Sequence, residues 1–567
     1  MESTPKPQAK SLFWGGIAFF TFLVGLSIYL GINRIFQVDE VLYSTLARFL
    51  ASRKMAPFVP NVPIILIGPL TWIAGAQKDG VAVLVAMRMP FVALMWVNAF
   101  LLVAATGQRL RSRGGLIMLA LAATLAPMWD YGFEVRHDVP LVTVTLALWC
   151  LLKAERPALP LRMFLGGVLA AGMQLIAFKG FLYALPMLGL GIYMVRPKSP
   201  KTWFTCLGMI LIGIAGGLLA GRLAHGLAGT WDLAWKGFRD TTVYAANSVE
   251  RFSPWSSIQR LFSEAPLLAY AGVGVLLCPF FQPGASKFRN LIEADWFPEW
   301  MFASLCFALL LVNPTPFPDN LIHVVPAFFI AVLRFREPIL ESILSLTSPG
   351  RQVVVGGLLL LHGLPWSVAT ARHLNMDNDR QVEVIRTAEA LTDPSLHRVF
   401  DGSGLVSTRS PIGERWIIHS FTIRHFMDGS WPTVRSLLAQ NPTPVILPNY
   451  RTNWLPKEDQ AFIEAHYVAL AEDFLVLGAI RDSGSSSWEV LADGRYMLAV
   501  FPKGADAGKG IEIDGRRIDP GISSFTKGSH SIQVPGGFRI QIVWLGPHLQ
   551  IIPALGPAPH PLFVNWY

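Results

Sequence analysis

Four short stretches carry residues able to do chemistry. V38-D39-E40-V41 sets two carboxylates side by side just past the first long apolar run. E134-V-R136-H-D138 carries two acids and a guanidinium, and F178-K179-G180 puts a lysine between two apolar runs. D319-N-L-I-H323 opens another run with an acid and a histidine. A carboxylate takes a proton from a hydroxyl, and arginine and lysine hold a phosphate. Each stretch also has a plainer reading: Asp39-Glu40 as polar flank, Arg136 and Asp138 as a structural ion pair, Lys179 as a snorkelling lysine, and His323 as a packed histidine. Charges beside apolar runs need a reason, because hydrocarbon penalises them.

The elements that position these residues span a membrane. Of 567 residues, 52% are hydrophobic and 15% charged, against about 25% charged in soluble domains, and the mean hydropathy is +0.43. The net charge of +9 falls as short basic clusters between apolar runs, which is a topology signal. No dense basic patch stands out, so no nucleic-acid partner is expected. Cys150, Cys206, Cys278 and Cys306 lie in or at the ends of apolar runs without ligand spacing and read as packing residues.

Charge parity orders the spans. Lys6 and Lys10 precede the first, at 11–32, and no clean A-x-A cleavage site follows. A retained first helix with a cytoplasmic N-terminus is expected. The proline-containing run at 62–75 is read as an interfacial helix, because two spans before Arg109, Arg111 and Arg113 then satisfy the parity. Further spans follow at 81–105, 115–130, 139–152, 163–178, 181–195, 203–226, 265–281, 298–313, 321–333 and 352–368, about eleven in all. This order gathers Asp39, Glu40, Glu134, Arg136, Asp138, Lys179, Asp319, Asn320 and His323 at one outer face. Such a face suits a substrate with an anionic headgroup in the lipid and a polar acceptor in the water.

Residues 371–480 read as an extracytoplasmic α/β segment and 481–567 as a β-rich module. Alternation over 488–500, 511–518 and 530–544, with D-G and G-G turn signals, predicts short antiparallel strands. Trp488 and Trp544 are expected in the core of this module rather than on a glycan-binding face.

Taken together, the first outer loop with Asp39-Glu40, the P69-L-T-W segment, E134-V-R136-H-D138-V-P, F178-K179-G180 and N320-L-I-H323-V-V-P326 resemble one family. It is that of the GT-C membrane glycosyltransferases of the protein-mannosyltransferase/aminoarabinose-transferase (ArnT-like) type. The resemblance covers about residues 11–370, and N449-Y-R451-T-N-W-L and H466-Y467 are consistent with soluble domains attached to such enzymes. It implies a polytopic α-helical membrane protein of GT-C type, with residues 11–370 as the transferase domain and the rest extracytoplasmic. It implies an inverting transfer of a sugar from a polyprenyl-phosphate donor to an extracytoplasmic lipid, glycan or protein acceptor. It implies a multi-pass protein of the bacterial inner membrane with a periplasmic C-terminal domain.

By the same resemblance Asp39 is the general base or the group that orients the acceptor, and Glu40 shapes that site. Asp138 is a second acceptor or metal-proximal carboxylate, Arg136 and Lys179 bind the donor phosphate, and His323 touches the same headgroup. No obligatory cofactor is implied; a divalent metal is admitted, without a distinct ligand set. The family's lysine-proline-proline run is absent before the interfacial helix, Phe178 stands where the family has threonine, and tyrosines are missing near His323. The sugar therefore stays open. A transporter or flippase for a lipid-linked substrate predicts inverted repeats and mid-membrane charges, and a non-catalytic binding protein predicts that Asp39 is replaceable.

Overall fold

The computed structural model describes residues 7–51, 64–77, 79–177, 179–195, 199–232, 235, 239, 253–281, 293–313, 317–413, 415–418, 422–502 and 510–564. Lys6, the first two residues of the 62–75 run, Phe178 and much of the 227–263 loop lie outside them.

The helices are α1 (Pro7–Asn33), α2 (Val38–Ala51), α3 (Ile64–Ala76), α4 (Gly80–Ala105), α5 (Arg113–Ala123), α6 (Ala126–Asp130), α7 (Asp138–Lys153), α8 (Leu159–Ile176), α9 (Gly180–Val195) and α10 (Pro200–Ala228). There follow α11 (Trp255–Glu264), α12 (Pro266–Leu277), α13 (Phe297–Val312), α14 (Leu321–Arg334), α15 (Arg336–Leu344) and α16 (Ser348–Asn375). Among the described residues, α1, α4, α8, α10 and α16 are the 5 helices long and apolar enough to cross a bilayer. A sixth span results if the helices either side of Ala265, bent by 115°, count as one.

The remaining expected spans are shorter. The one at 115–130 is broken, because Leu125 is extended (φ −72°, ψ 117°) between α5 and α6. Pro127 follows closely, and proline disfavours helix just upstream of itself. Helices α7, α9 and α13 have 16 residues and α14 has 14. At 1.5 Å per residue they reach only about 21–24 Å, less than the roughly 30 Å of hydrocarbon. Of these, α14 is held inside the bundle, buried from Leu321 to Ala331, whereas α9 and α13 keep exposed apolar side chains such as Leu185 and Val312. Small residues let backbones meet. A Cβ on Gly167 of α8 would lie 2.2 Å from the Ile210 carbonyl oxygen, and one on Gly213 of α10 2.1 Å from that of Phe164. Close approach of this kind favours helix packing in lipid.

Past Met376 the chain forms α17 (Asp379–Leu391), α18 (Ile423–Met427), α19 (Val434–Gln440) and α20 (Lys457–His466) around one mixed sheet. Its strands are β1 (Val399–Phe400), β2 (Val445–Ile446), β3 (Tyr467–Ala471), β4 (Phe474–Val490), β5 (Gly494–Phe501), β6 (Glu512–Ile513), β7 (Arg516–Arg517), β8 (Gly521–Phe525) and β9 (Gly528–Trp544). Their order is β1-β2-β4-β9-β5-β8, with β3 beside β4 and β6 between β7 and β9.

Two strands are not short: β4 and β9 each run 17 residues. The Ser/Gly-rich stretch within β4 hides its continuation from an alternation test. Strand β4 runs across residue 480, so the α/β segment and the β-rich module share one sheet. Gly536-Gly537 is no turn; it lies inside β9, where the pairing with β4 slips between Asp482 and Gly484 as a bulge. Asp514-Gly515 does turn, with φ of 53° and 70°, between β6 and β7. Trp488 and Trp544 are buried, and the Trp544 indole N–H donates to the Leu391 carbonyl (3.0 Å). Both tryptophans belong to the core, as expected.

The soluble domain is clamped to the turn between α1 and α2. Ile35 N–H donates to the Met376 carbonyl (3.1 Å) and Asn378 N–H to that of Asn33 (2.8 Å). The Gln381 amide bonds the Phe36 backbone on both its N–H and C=O (2.7 and 2.9 Å) and donates to the Leu562 carbonyl (2.7 Å). Gly404, at φ +97°, leaves room for the Thr45 hydroxyl to bond its carbonyl; a Cβ there would lie 2.8 Å from that hydroxyl. These contacts fix the position of α2.

Candidate active site

Asp39 and Glu40 occupy the first turn of α2, where carboxylates favour the positive end of the helix dipole. Neighbours on a helix point about 100° apart, so the pair divides. The Glu40 side chain is 1% exposed and the Asp39 side chain 21%. Glu40 turns inward to Arg88 of α4, whose Nε and Nη2 donate to its two oxygens (2.9 and 2.6 Å). The backbone N–H groups of Gln37 and Val135 donate to the same carboxylate (2.8 and 3.1 Å). Glu40 thereby ties α2, α4 and the 131–137 loop together. Arg34 does the same on the other side, donating to the carbonyls of Trp129 (3.0 Å) and Asp130 (2.9 Å) and pairing with Glu134.

Asp39 turns toward a charged cluster. Its Oδ2 lies 3.0 Å from Arg136 Nη1, and its Oδ1 3.4 Å from Arg451 Nη2. Arg136 Nη2 donates to Asp319 (2.7 Å) and lies 3.5 Å from Asp138. Lys179, just before α9, donates to Asp138 Oδ1 (2.5 Å) and Asn320 Oδ1 (2.7 Å). His323 is buried, 3.4 Å from Asp138 Oδ1 and stacked on Tyr183 at 4.8 Å between ring centroids. The N-terminal ends of α2, α7, α9 and α14 thus meet at one point. Asp39, Arg136, Asp138, Lys179 and His323 fall in this one cluster, and Glu40 stands behind it.

Burial shapes the loop groups of this cluster. It lifts the Asp319 carboxyl to about 6 despite the pull of Arg136. It lifts Glu134 to about 7 against Arg34. It lowers His137, whose Nδ1 sits 2.9 Å from the Tyr43 hydroxyl, to about 4. The acids are already engaged by cations, and among the described residues no group of three or more His, Cys, Asp or Glu side chains is arranged to hold a metal ion. The residues here do not fit a metal.

One cleft adjoins the cluster and a second is linked to it through Tyr131. The first, of about 30 Å³, lies among Asp39, Arg136, Asp319, Tyr450, Arg451 and Val564. It has room for about one or two waters, so a sugar enters only if its walls part. The other, about 470 Å³, lies between α11, α12 and α16 and is lined by Leu360, Leu361, Leu364 and Val368, with Asp130, Arg260, Glu264 and Arg372 at its polar end. The four α16 side chains are exposed on the apolar surface of the bundle. Tyr131, a wall of the small cleft, accepts a hydrogen bond from Arg260 (3.1 Å) at the large one.

Sequence reasoning gave no role to Arg34, Arg88, Tyr43, Tyr450 or Arg451. For Arg88 the signal was present: an arginine deep in an apolar run needs a buried acid. For Arg451 there was none, since its partner Asp39 lies 412 residues away.

No protein-family model matches this chain, and no curated protein matches it in sequence. Solved structures do match in fold. ArnT from Cupriavidus metallidurans in the apo state aligns with a TM-score of 0.52 at 14% identity, over 83% of this chain and 98% of that one. The same protein bound to undecaprenyl phosphate gives 0.51 at 13%, over 82% and 98%. A looser match, 0.46 at 11% over 80% of this chain and 72% of the other, is to the Archaeoglobus fulgidus oligosaccharyltransferase tethered to an acceptor peptide. The ArnT matches show that this chain has the GT-C, ArnT-like fold that its motifs resemble.

Proposed function

We propose that this chain is an inverting glycosyltransferase, moving a sugar from a polyprenyl-phosphate donor to a lipid, glycan or protein acceptor at the outer membrane face. The observation that carries this reading is the meeting of Asp39, Arg136, Asp138 and Lys179 at one end of the bundle, linked through Tyr131 and Arg260 to an apolar groove. The acceptor hydroxyl oxygen attacks the anomeric carbon as the bond from that carbon to the phosphate oxygen breaks. The hydroxyl proton passes to the Asp39 carboxylate, and the electron pair leaves with the phosphate. A phosphate leaving group needs charge stabilisation more than a proton.

Donors remain for it. Lys179 uses two of its three N–H groups on Asp138 and Asn320, and Arg136 Nε is buried without a partner among the described residues. Asp138, itself contacted by His323, and Asn320 hold Lys179 in place, and Glu40 with Arg88 holds the helix that carries Asp39. The groove along α16 suits the hydrocarbon tail of the carrier. One of the ArnT structures of the same fold holds undecaprenyl phosphate, a carrier of this class. On this reading the N-terminus lies inside and the soluble domain outside, as charge parity suggests, in a bacterial inner membrane, as the family resemblance implies.

The test is transfer by the purified protein in lipid nanodiscs. Undecaprenyl phosphates carrying labelled hexoses or aminopentoses serve as donors, and total envelope lipid, glycan and protein as the acceptor pool. Label in acceptor, with matching release of undecaprenyl phosphate, is expected. Binding of these donors without transfer to any acceptor points to a transporter or a binding protein instead.

A further inference from the structure

The N449-Y-R451-T-N-W turn is built to aim one side chain. Asn449 N–H donates to the Thr452 hydroxyl oxygen (2.9 Å), and that hydroxyl donates to the Asn449 carbonyl (2.8 Å). Arg451 N–H donates to Asn449 Oδ1 (3.0 Å), while Asn449 Nδ2 donates to the Asp401 carbonyl (2.7 Å). The turn is thus fixed within the soluble domain, whatever the membrane domain does.

From it Arg451 reaches across. The residue is 3% exposed, its Nη1 donates to the Ile418 carbonyl (3.0 Å), and its one carboxylate partner among the described residues is Asp39. Its Nε is buried with no partner there, beside the small cleft. A buried guanidinium is costly unless paired, so this side chain is placed where the soluble domain gains least by it alone. The 3.4 Å separation from Asp39 is longer than an ordinary charge-assisted bond.

We infer that Arg451 is a positioning residue for transfer: it holds Asp39 Oδ1 toward the acceptor while Arg136 holds Oδ2, so the soluble domain completes the site. Without Arg451, the pull of Arg136 on Oδ2 is no longer balanced at Oδ1, and the aim of Asp39 at the acceptor is lost. The inference rests on the transferase reading above.

The experiment is steady-state transfer by the full-length protein with the donor and acceptor pool named above, comparing wild type, Arg451→Gln, Arg451→Lys and the double variant with Asp39→Asn. Arg451→Gln is expected to lower kcat about 100-fold, the loss that a misplacement of about 1 Å brings, with donor KM within about 3-fold. Arg451→Lys, which keeps the charge without the fork, should fall between. Adding Arg451→Gln to Asp39→Asn should cost nothing further, because the arginine acts only through the carboxylate. A merely structural arginine would instead lower both backgrounds equally, and that result overturns the inference. So does a raised donor KM at full kcat, which would make Arg451 a donor ligand. If Arg451→Gln does not fold, the kcat of Arg451→Lys decides, and a wild-type value refutes the role. A wild type that transfers nothing refutes the transferase reading itself before Arg451 is reached.

Discussion

Glu40→Gln separates support from chemistry within the acidic pair. In the native protein Glu40 Oε1 accepts from Arg88 Nε and Val135 N–H, and Oε2 accepts from Arg88 Nη2 and Gln37 N–H. A glutamine amide has the same shape but turns one acceptor into an NH₂ donor. Whichever way it flips, that NH₂ faces two N–H groups, and Arg88 keeps its charge while losing its one carboxylate partner among the described residues. Removing one partner of a buried pair costs about 3–5 kcal/mol, a large part of a typical stability of roughly 5–15 kcal/mol.

The assay is heat denaturation of the purified protein in detergent, with transfer measured at low temperature on the fraction that remains folded. A clear fall in the melting temperature is expected, with transfer per folded molecule within a few-fold of wild type. Arg88→Gln should behave alike, and the double variant should lose less than the sum of the two. A Glu40→Gln protein that melts like wild type yet transfers nothing would refute the supporting role and make Glu40 a catalytic group.

Other outcomes follow from the same geometry. Arg136→Lys should raise donor KM about 10-fold or more, because a lysine cannot bridge Asp39 and Asp319 while offering a further N–H to phosphate; titration with undecaprenyl phosphate checks this. Burial raises Asp319 to about 6, above its unfolded value of about 3.9. The contribution of this group to stability is therefore full below about 3.9 and lost as pH rises through 6. The acid limb of kcat/KM near pH 6, where the bond to Arg136 is protonated away, should disappear in Asp319→Asn. Phe563 is buried 2% exposed beside the wall residue Val564, so Phe563→Ala should cost about 3–5 kcal/mol and speed hydrogen exchange over 556–564. In a cysteine-free background, a cysteine at 39 and one at 111 should label from opposite sides of the membrane; labelling from one side breaks the proposed orientation.

The cluster was legible in the sequence: the parity reading of the basic clusters groups Asp39, Arg136, Asp138, Lys179 and His323 at one end of the bundle, and the structure brings them together there. The direction each points was not legible. Asp39 and Glu40 look equivalent as letters, and only the phase of α2 sends one to the cleft and the other to Arg88. The span at 115–130 looked continuous by hydropathy, yet Pro127 breaks it and turns Trp129 and Asp130 back to meet Arg34. The Ser/Gly-rich centre of β4 lacks the alternation that marks a strand, although its pairing with β9 makes it one. Arg451 lay in a stretch whose likeness to attached soluble domains was visible, but its reach to Asp39 depends on how two domains dock, which no local pattern encodes.

The central claim is that Asp39 takes the acceptor proton while Arg136 and Lys179 hold the departing phosphate. Single-turnover transfer, with donor preloaded on wild type and on Asp39→Asn to equal occupancy, tests it most directly. The predicted result is equal donor binding with transfer slowed at least about 100-fold in the variant. Equal rates of transfer from the two loaded proteins would contradict it.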